Sequence, residues 1–187
     1  MPDSYPALYD VSNVASDDVL NVREHPTTGA EILGAFPPDR TGIEIVSISS
    51  DLTWGMVNID ERAGWVSLRY LARQPGQDWG MMPWPLDCYG TEPFWDLHGS
   101  GEDTLVLERM DEGEQHFRLS MTTMTSGRPD RYWMRGEDGP RETLMNLRRE
   151  ECHDGMSDRG YGLSVDILLD TVDGQEALSG CCSITPR

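Results

Sequence analysis

Leu163, Val165, Ile167 and Leu169 occupy every second position of one short run, with Ser164, Asp166 and Leu168 between them. A period of two puts alternate side chains on opposite faces of an extended strand, so this run predicts a β-strand with one buried face. The same pattern recurs along the chain. Glu114–Met121 alternates with Phe117, Leu119 and Met121 on one face, and Thr143–Glu150 alternates with Met145 and Leu147 inward, though a short helix also fits there. Further extended runs are Phe94–Leu97, Thr104–Glu108, Arg131–Arg135 and Ala177–Ile184. Gly- and Pro-bearing turns such as Gly99-Ser100-Gly101 and Gly136-Glu137-Asp138-Gly139-Pro140 separate them. Seven or eight consecutive antiparallel strands predict an up-and-down barrel or a strongly curled sheet.

The first third carries shorter strands. Val19–Arg23, Glu31–Phe36, Gly42–Ile48, Trp54–Ile59 and Gly64–Leu68 are divided by turns at Pro26–Gly29, Pro37-Pro38 and Asp60–Ala63. Ile43, Ile45 or Val46, and Ile48 are its core candidates. Strands this short and closely spaced predict an all-β barrel or sandwich, of which a small barrel leaves few open edges. Ala72–Gly80 has linker composition, and the boundary falls near Gln77, giving units 1–76 and 77–187. Met81-Met82-Pro83-Trp84-Pro85 is too apolar for a free linker and is expected to pack against one unit. The fold class is therefore all-β, with a small barrel followed by a larger antiparallel one.

The charge excludes some functions. The chain has 33 acidic residues, 15 basic ones, all arginine, and a formal net charge of −18. Such a surface repels phosphate backbones, so nucleic acid is not an expected partner. No apolar run reaches the ~20 residues of a membrane helix. Met1–Asp10 shows no leader sequence. The histidines at 25, 98 and 116 are isolated, no cysteine or histidine spacing suits zinc, and the ten methionines suit strand cores, so neither metal nor cofactor is expected.

Leu20-Asn21-Val22-Arg23, Pro26 to Gly29, Trp54-Gly55-Met56-Val57 and Gly64-Trp65-Val66 through Tyr70-Leu71 together resemble the bacterial Src-homology-3-like domain family. The resemblance implies a small barrel set beside envelope or cell-wall modules, some of which bind peptide or peptidoglycan. Trp54 and Tyr70 are then the candidate contacts, with Trp65 a core or half-buried strand residue. In the second half, Cys88-Tyr89-Gly90-Thr91-Glu92-Pro93-Phe94-Trp95, Cys152-His153-Asp154-Gly155-Met156-Ser157-Asp158-Arg159-Gly160-Tyr161-Gly162 and Leu178-Ser179-Gly180-Cys181-Cys182 resemble a family of bacterial envelope proteins and lipoproteins. This similarity runs from Trp84 to Ile184. It implies an exported or periplasmic location, while the lack of a lipobox cysteine gives no support for a lipid anchor.

Four cysteines allow three pairings, and joining the neighbours Cys181 and Cys182 would strain the bond. Cys181 and Cys182 point to opposite faces of a strand, and the first and last strands of an up-and-down barrel adjoin, which brings Cys88 near them. The resemblance implies the pairs Cys152–Cys181 and Cys88–Cys182, and such bonds persist in an oxidising compartment.

The Cys152–Gly162 segment has the clustering of an active site, but a disulfide-bonded Cys152 is no nucleophile. A structural role is favoured. Asp154 is expected to cap one helical turn at Met156–Asp158, and Ser157 or Asp158 to add a local turn bond. Arg159 is expected to pair with Asp154, Asp158 or Glu92, and Met156 to plug the barrel end. Gly155, Gly160 and Gly162 are expected to supply special φ values. Gly90 is expected to allow a positive φ or a close approach. Trp95 is expected to close one end of the barrel with its Nε1–H bonded, for example to a backbone carbonyl.

The expected function is non-catalytic: an envelope protein that engages protein, peptide or cell-wall ligand. The candidate contacts are Trp54 and Tyr70 in the first unit, and Glu92, Trp95, Arg159 and Tyr161 in the second. Two other classes are an acidic inhibitor of a basic lysozyme-like enzyme and a barrel that binds a small ligand.

Overall fold

A computed structural model describes residues 4–101, 103–110, 112–172 and 174–184. The chain is all-β. In order, the strands are β1 (Ala7–Val11), β2 (Leu20–Arg23), β3 (Ile32–Phe36), β4 (Ile43–Ile45), β5 (Ser47–Ile48), β6 (Trp54–Ile59), β7 (Arg62–Ser67) and β8 (Leu71–Arg73), with a single 3-10 turn at Leu68–Tyr70. There follow β9 (Asp87–Thr91), β10 (Phe94–Ser100), β11 (Thr104–Arg109), β12 (Gly113–Thr125), β13 (Arg128–Asp138), β14 (Arg141–Cys152), β15 (Tyr161–Thr171) and β16 (Gly174–Ser183).

The last eight strands form a closed antiparallel barrel, β10 to β16 in sequence order with β9 completing the ring between β16 and β10. The alternating residues fill it. Leu97, Leu105, Leu107, Phe117, Tyr132, Met134, Met145, Leu147, Leu163, Val165, Ile167 and Leu169 are buried together in one core. Thr143–Glu150 is strand throughout, since cross-strand pairing with β13 and β15 satisfies a backbone that a short helix would leave half-bonded. Met121 departs from its expected inward face. A bulge between Leu119 and Met121 shifts the register, so Met121 lies opposite the exposed Arg135 and is itself exposed.

In the N-terminal lobe the expected small barrel is two sheets around a second core. The order is β4-β1-β8 in one and β3-β2-β7-β6-β5 in the other. The predicted Gly42–Ile48 strand is two strands, because Val46 leaves the first sheet and bonds through its N–H to Met56 O, 2.9 Å away. Trp65 is half-buried and lies opposite Met56. Strand β1 was not among the sequence-predicted strands, yet it joins the two lobes. Its Ala7 and Tyr9 belong to the small core, while Leu8, on the other face, belongs to the barrel core.

Leu8 is paired across the sheet with Glu44, which is also buried. The Glu44 carboxylate accepts from the Ser183 hydroxyl and from the Ile184 N–H, so a charged residue on this face holds the end of β16. A buried carboxylate persists only when such donors replace water. Gly160 and Gly162 serve the same seam. Neither has a positive φ, contrary to expectation; a Cβ would come within 2.8 Å of Met56 Sδ at Gly160 and 2.9 Å of Pro6 Cδ at Gly162. The seam is further stitched by Asn58, whose amide both donates to Gly160 O (2.8 Å) and accepts from Gly160 N–H (2.9 Å).

The Ala72–Gly80 segment is strapped down. The Gln77 side chain accepts from Leu8 N–H and donates to Leu8 O, and Arg73 donates to Gln77 O. Met82 and Trp84 pack against the barrel core, as the apolar lead-in requires. No helix among the described residues is long and apolar enough to cross a membrane.

Two disulfides lock the barrel: Cys88–Cys182, spanning 94 residues of sequence, and Cys152–Cys181, spanning 29. These are the pairs that the resemblance implies. Cys88 and Cys182 are direct cross-strand partners at the closure between β9 and β16. Removing each bond by a double Cys→Ser change is expected to lower the unfolding free energy by about 5 kcal/mol for the longer loop and about 4 kcal/mol for the shorter, by loss of the chain-entropy restraint. Urea titration of the two variants checks the size and the ranking.

Candidate functional site

Two clefts collect the sequence candidates. The first lies in the N-terminal lobe and has a volume of about 460 Å³. The 3-10 turn Leu68–Tyr70 places Tyr70 and Arg69 on its rim, and β6 places Trp54 at its floor. Trp54 is buried and Tyr70 half-buried, so the former gives the floor and the latter an accessible ring edge. The Arg69 guanidinium lies 4.7 Å from the centre of the Tyr70 ring. Arg23 also lines the cleft and donates through Nη1 to Ala30 O at 2.7 Å. Asp18 is the one carboxylate among the lining residues, against two arginines.

The second cleft runs over one end of the large barrel at the seam, with a volume of about 560 Å³. Trp95, Arg159 and Tyr161 all border it. Glu92 borders neither cleft; it sits exposed in the β9–β10 turn. Trp95 is 4 % exposed, as a barrel-end plug should be. Its Nε1–H, however, has no hydrogen-bond partner, against expectation. The ring instead lies flat against two glycines: a Cβ on Gly90 would fall 2.0 Å from Nε1, and one on Gly180 would fall 2.7 Å from Cζ2. Gly90 thus allows a close approach of the ring.

The Asp154 segment is a turn without a helix. The Asp154 carboxylate accepts from Met156 N–H (3.0 Å), Ser157 N–H (2.9 Å), Ser157 Oγ–H (2.7 Å) and the Tyr161 hydroxyl (3.2 Å). Gly155, with φ of 73°, makes the bend that brings these donors to one carboxylate. Ser157 Oγ also accepts from Arg159 N–H, the additional local bond. Burial pushes the Asp154 carboxyl up, but the bonds from Ser157, Met156 and Tyr161 outweigh it and hold its pKa at about 2. Burial raises the Tyr161 hydroxyl, with the Arg159 charge opposing and the Asp154 charge adding to the shift.

Two expectations for this segment are corrected. Arg159 forms no ion pair with Asp154, Asp158 or Glu92; its guanidinium lies 5.8 Å from the centre of the Tyr161 ring. Asp154 is already saturated with donors, and Asp158 is turned to the small lobe by backbone bonds to Glu61 O and Ala63 N–H. Met156 is 69 % exposed and does not plug the barrel. Its turn projects over the cleft, and Trp95 already fills the barrel end.

Sequence reasoning missed Glu61, Phe94, Asp96, Glu108 and Met110, which complete the seam cleft, and Arg69 in the first. Met110 carried a signal, an apolar side chain in a turn flanked by Arg109 and Asp111. Cys152 is disulfide-bonded and His153 faces solvent beside Glu151, 3.2 Å away, so these two groups make no nucleophile–base pair. Among the described residues no group of His, Cys, Asp and Glu converges on a metal-sized position. Comparisons with protein-family models, curated proteins and solved structures give no match to this chain.

The Asp154 turn yields a test. Its pKa is depressed in the folded state, so its stabilisation is full above the ordinary value of 3.8 and is lost as the pH falls through about 2. Asp154→Ala is expected to lower stability by about 1–2 kcal/mol at pH 7. Urea titrations from pH 7 to pH 2 should show the gap between wild type and variant closing below pH 3.8.

Proposed function

We propose that the protein is a non-catalytic binding protein of the cell envelope, whose N-terminal lobe engages a peptide-bearing ligand. The ligand is a cell-wall stem peptide or a segment of a partner protein. The observation that carries this reading is the Trp54–Tyr70 cleft. On a chain of net charge −18 it is lined by Arg23 and Arg69 against Asp18 alone. An aromatic floor beside an arginine pair suits a chain segment ending in, or bearing, a carboxylate, which arginine holds by charge-assisted hydrogen bonds. The resemblance of Leu20–Leu71 to bacterial Src-homology-3-like domains supports the same choice.

Two further features favour binding over turnover. The cysteine of the most motif-like segment is held in a disulfide, and its aspartate is engaged by four donors within its own turn. The large barrel is packed with side chains along its length, which favours a partner on its outside over a ligand within. The disulfides support an oxidising, exported location.

Co-sedimentation with purified peptidoglycan sacculi tests the assignment. Arg69→Ala and Tyr70→Ala are each expected to weaken retention roughly tenfold, the loss typical of an anchor residue. Arg69 is exposed, so its variant keeps the fold. Unchanged retention of both variants would remove this cleft from the function.

A further inference from the structure

The two disulfides differ in how far solvent reaches them. Cys88 and Cys182 are fully buried and belong to the barrel core. Cys152 is half-buried, and with Cys181 it lines a cleft of about 230 Å³. Its chain neighbours Glu151 and His153 are exposed. Exchange with an outside thiol requires a thiolate to reach one of the two sulfurs, so an accessible disulfide is labile where a buried one resists.

The two bonds also hold different parts of the molecule. Cys88–Cys182 joins paired residues of β9 and β16 and closes the barrel. Cys152 ends β14, and the pairing of β14 with β15 is irregular between Arg149 and Cys152. Beyond Cys152 runs the loop 153–160, which grips the small lobe. Asp158 N–H donates to Glu61 O at 3.1 Å, and Ala63 N–H donates to Asp158 O at 2.8 Å. Gly160 N–H donates to Asn58 Oδ1 at 2.9 Å. Cys152–Cys181 is the covalent tie between the start of this loop and β16. One bond therefore keeps the barrel shut, and the other anchors the segment that fastens the lobes.

We propose that Cys152–Cys181 is an exchangeable clasp, opened by an external dithiol and closed by a disulfide oxidant, which sets how firmly the loop grips the small lobe. A thiolate of the dithiol attacks Cys152 Sγ, the Cys152–Cys181 bond breaks, and Cys181 leaves as a thiolate that takes up a proton. The second thiolate of the dithiol then attacks the first sulfur of its own molecule in the mixed disulfide, and Cys152 leaves in the same way. In sum the dithiol becomes a disulfide, and its two electrons and two protons pass to the cysteine pair. Cys88–Cys182 stays closed because its sulfurs lie within the core. The proposal does not rest on the Trp54–Tyr70 cleft.

The probe is dithiothreitol acting on the full oxidised chain at neutral pH, with free thiols trapped by N-ethylmaleimide at intervals and located by peptide mass. Cys152 and Cys181 are expected to be trapped together, at least roughly tenfold faster than Cys88 and Cys182. At that stage amide hydrogen exchange at Ala63, Asp158 and Gly160 is expected to quicken roughly tenfold, while exchange along β10–β13 is unchanged. Oxidised glutathione is expected to restore the slow exchange. The double variant Cys152→Ser/Cys181→Ser is expected to exchange fast at the same amides without reductant. Opening of both disulfides at one rate, or of Cys88–Cys182 first, would overturn the proposal. So would selective opening that leaves those amides as slow as before, exchange that oxidised glutathione does not slow again, or a double variant whose amides stay slow.

Discussion

The pairing of β9 with β16 is the contact on which the molecule depends. Every other neighbour in the barrel is also a neighbour in sequence. This one joins strands whose cysteines are 94 residues apart, and without it two sheet edges would stand open to other chains. Three paired positions are few for such a closure, and the Cys88–Cys182 bond lies among them. Closing that ring also creates the surfaces discussed above. It sets Gly90 and Gly180 side by side beneath the Trp95 ring, and it presents the end of β16 to Glu44.

The seam between the lobes is polar as well as apolar, and Glu44, Asn58 and Gly160 find hydrogen-bond partners across it. Leu8 supplies a buried side chain to the barrel core, and Glu44 beside it holds the last strand. Such a pair gives direction to the packing: a leucine is satisfied by many neighbours, whereas a buried carboxylate needs particular donors. The two clefts then differ in electrostatic sign, one arginine-rich within the small lobe and one acidic across the seam.

Much of the architecture was legible because the barrel strands are long and bury one face. β15 could be read from alternation, as could the inward Met145 and Leu147 of β14, though a short helix also fitted that run. β1, β8 and β9 were not, for local reasons. β1 buries Ala7, Leu8 and Tyr9 on both faces, so it lacks alternation, β8 has three residues, and β9 is interrupted by glycine. Met121 was misplaced because a bulge cannot be read from polarity alone. Glu44 looked like an ordinary outward strand residue, since its burial depends on a lobe far along the chain. Of the candidate contacts, Trp54 with Tyr70 and Trp95 with Arg159 and Tyr161 do converge, because each set sits on neighbouring elements. The acids of the seam cleft escaped notice because residues 61, 96 and 108 meet only in the folded chain.

The connection from Cys152 to Tyr161 is the longest between barrel strands, and a surface excursion of that kind is ordinarily where proteases cut. Here it is fastened throughout. Cys152 is bonded to Cys181, Asp154 gathers its own turn, and Asp158 exchanges backbone hydrogen bonds with Glu61 and Ala63 of the small lobe. A protease must draw such a segment out as an extended strand, and that requires the lobes to separate. Cutting of this loop is therefore governed by lobe separation, and any ligand that holds the lobes together also slows it.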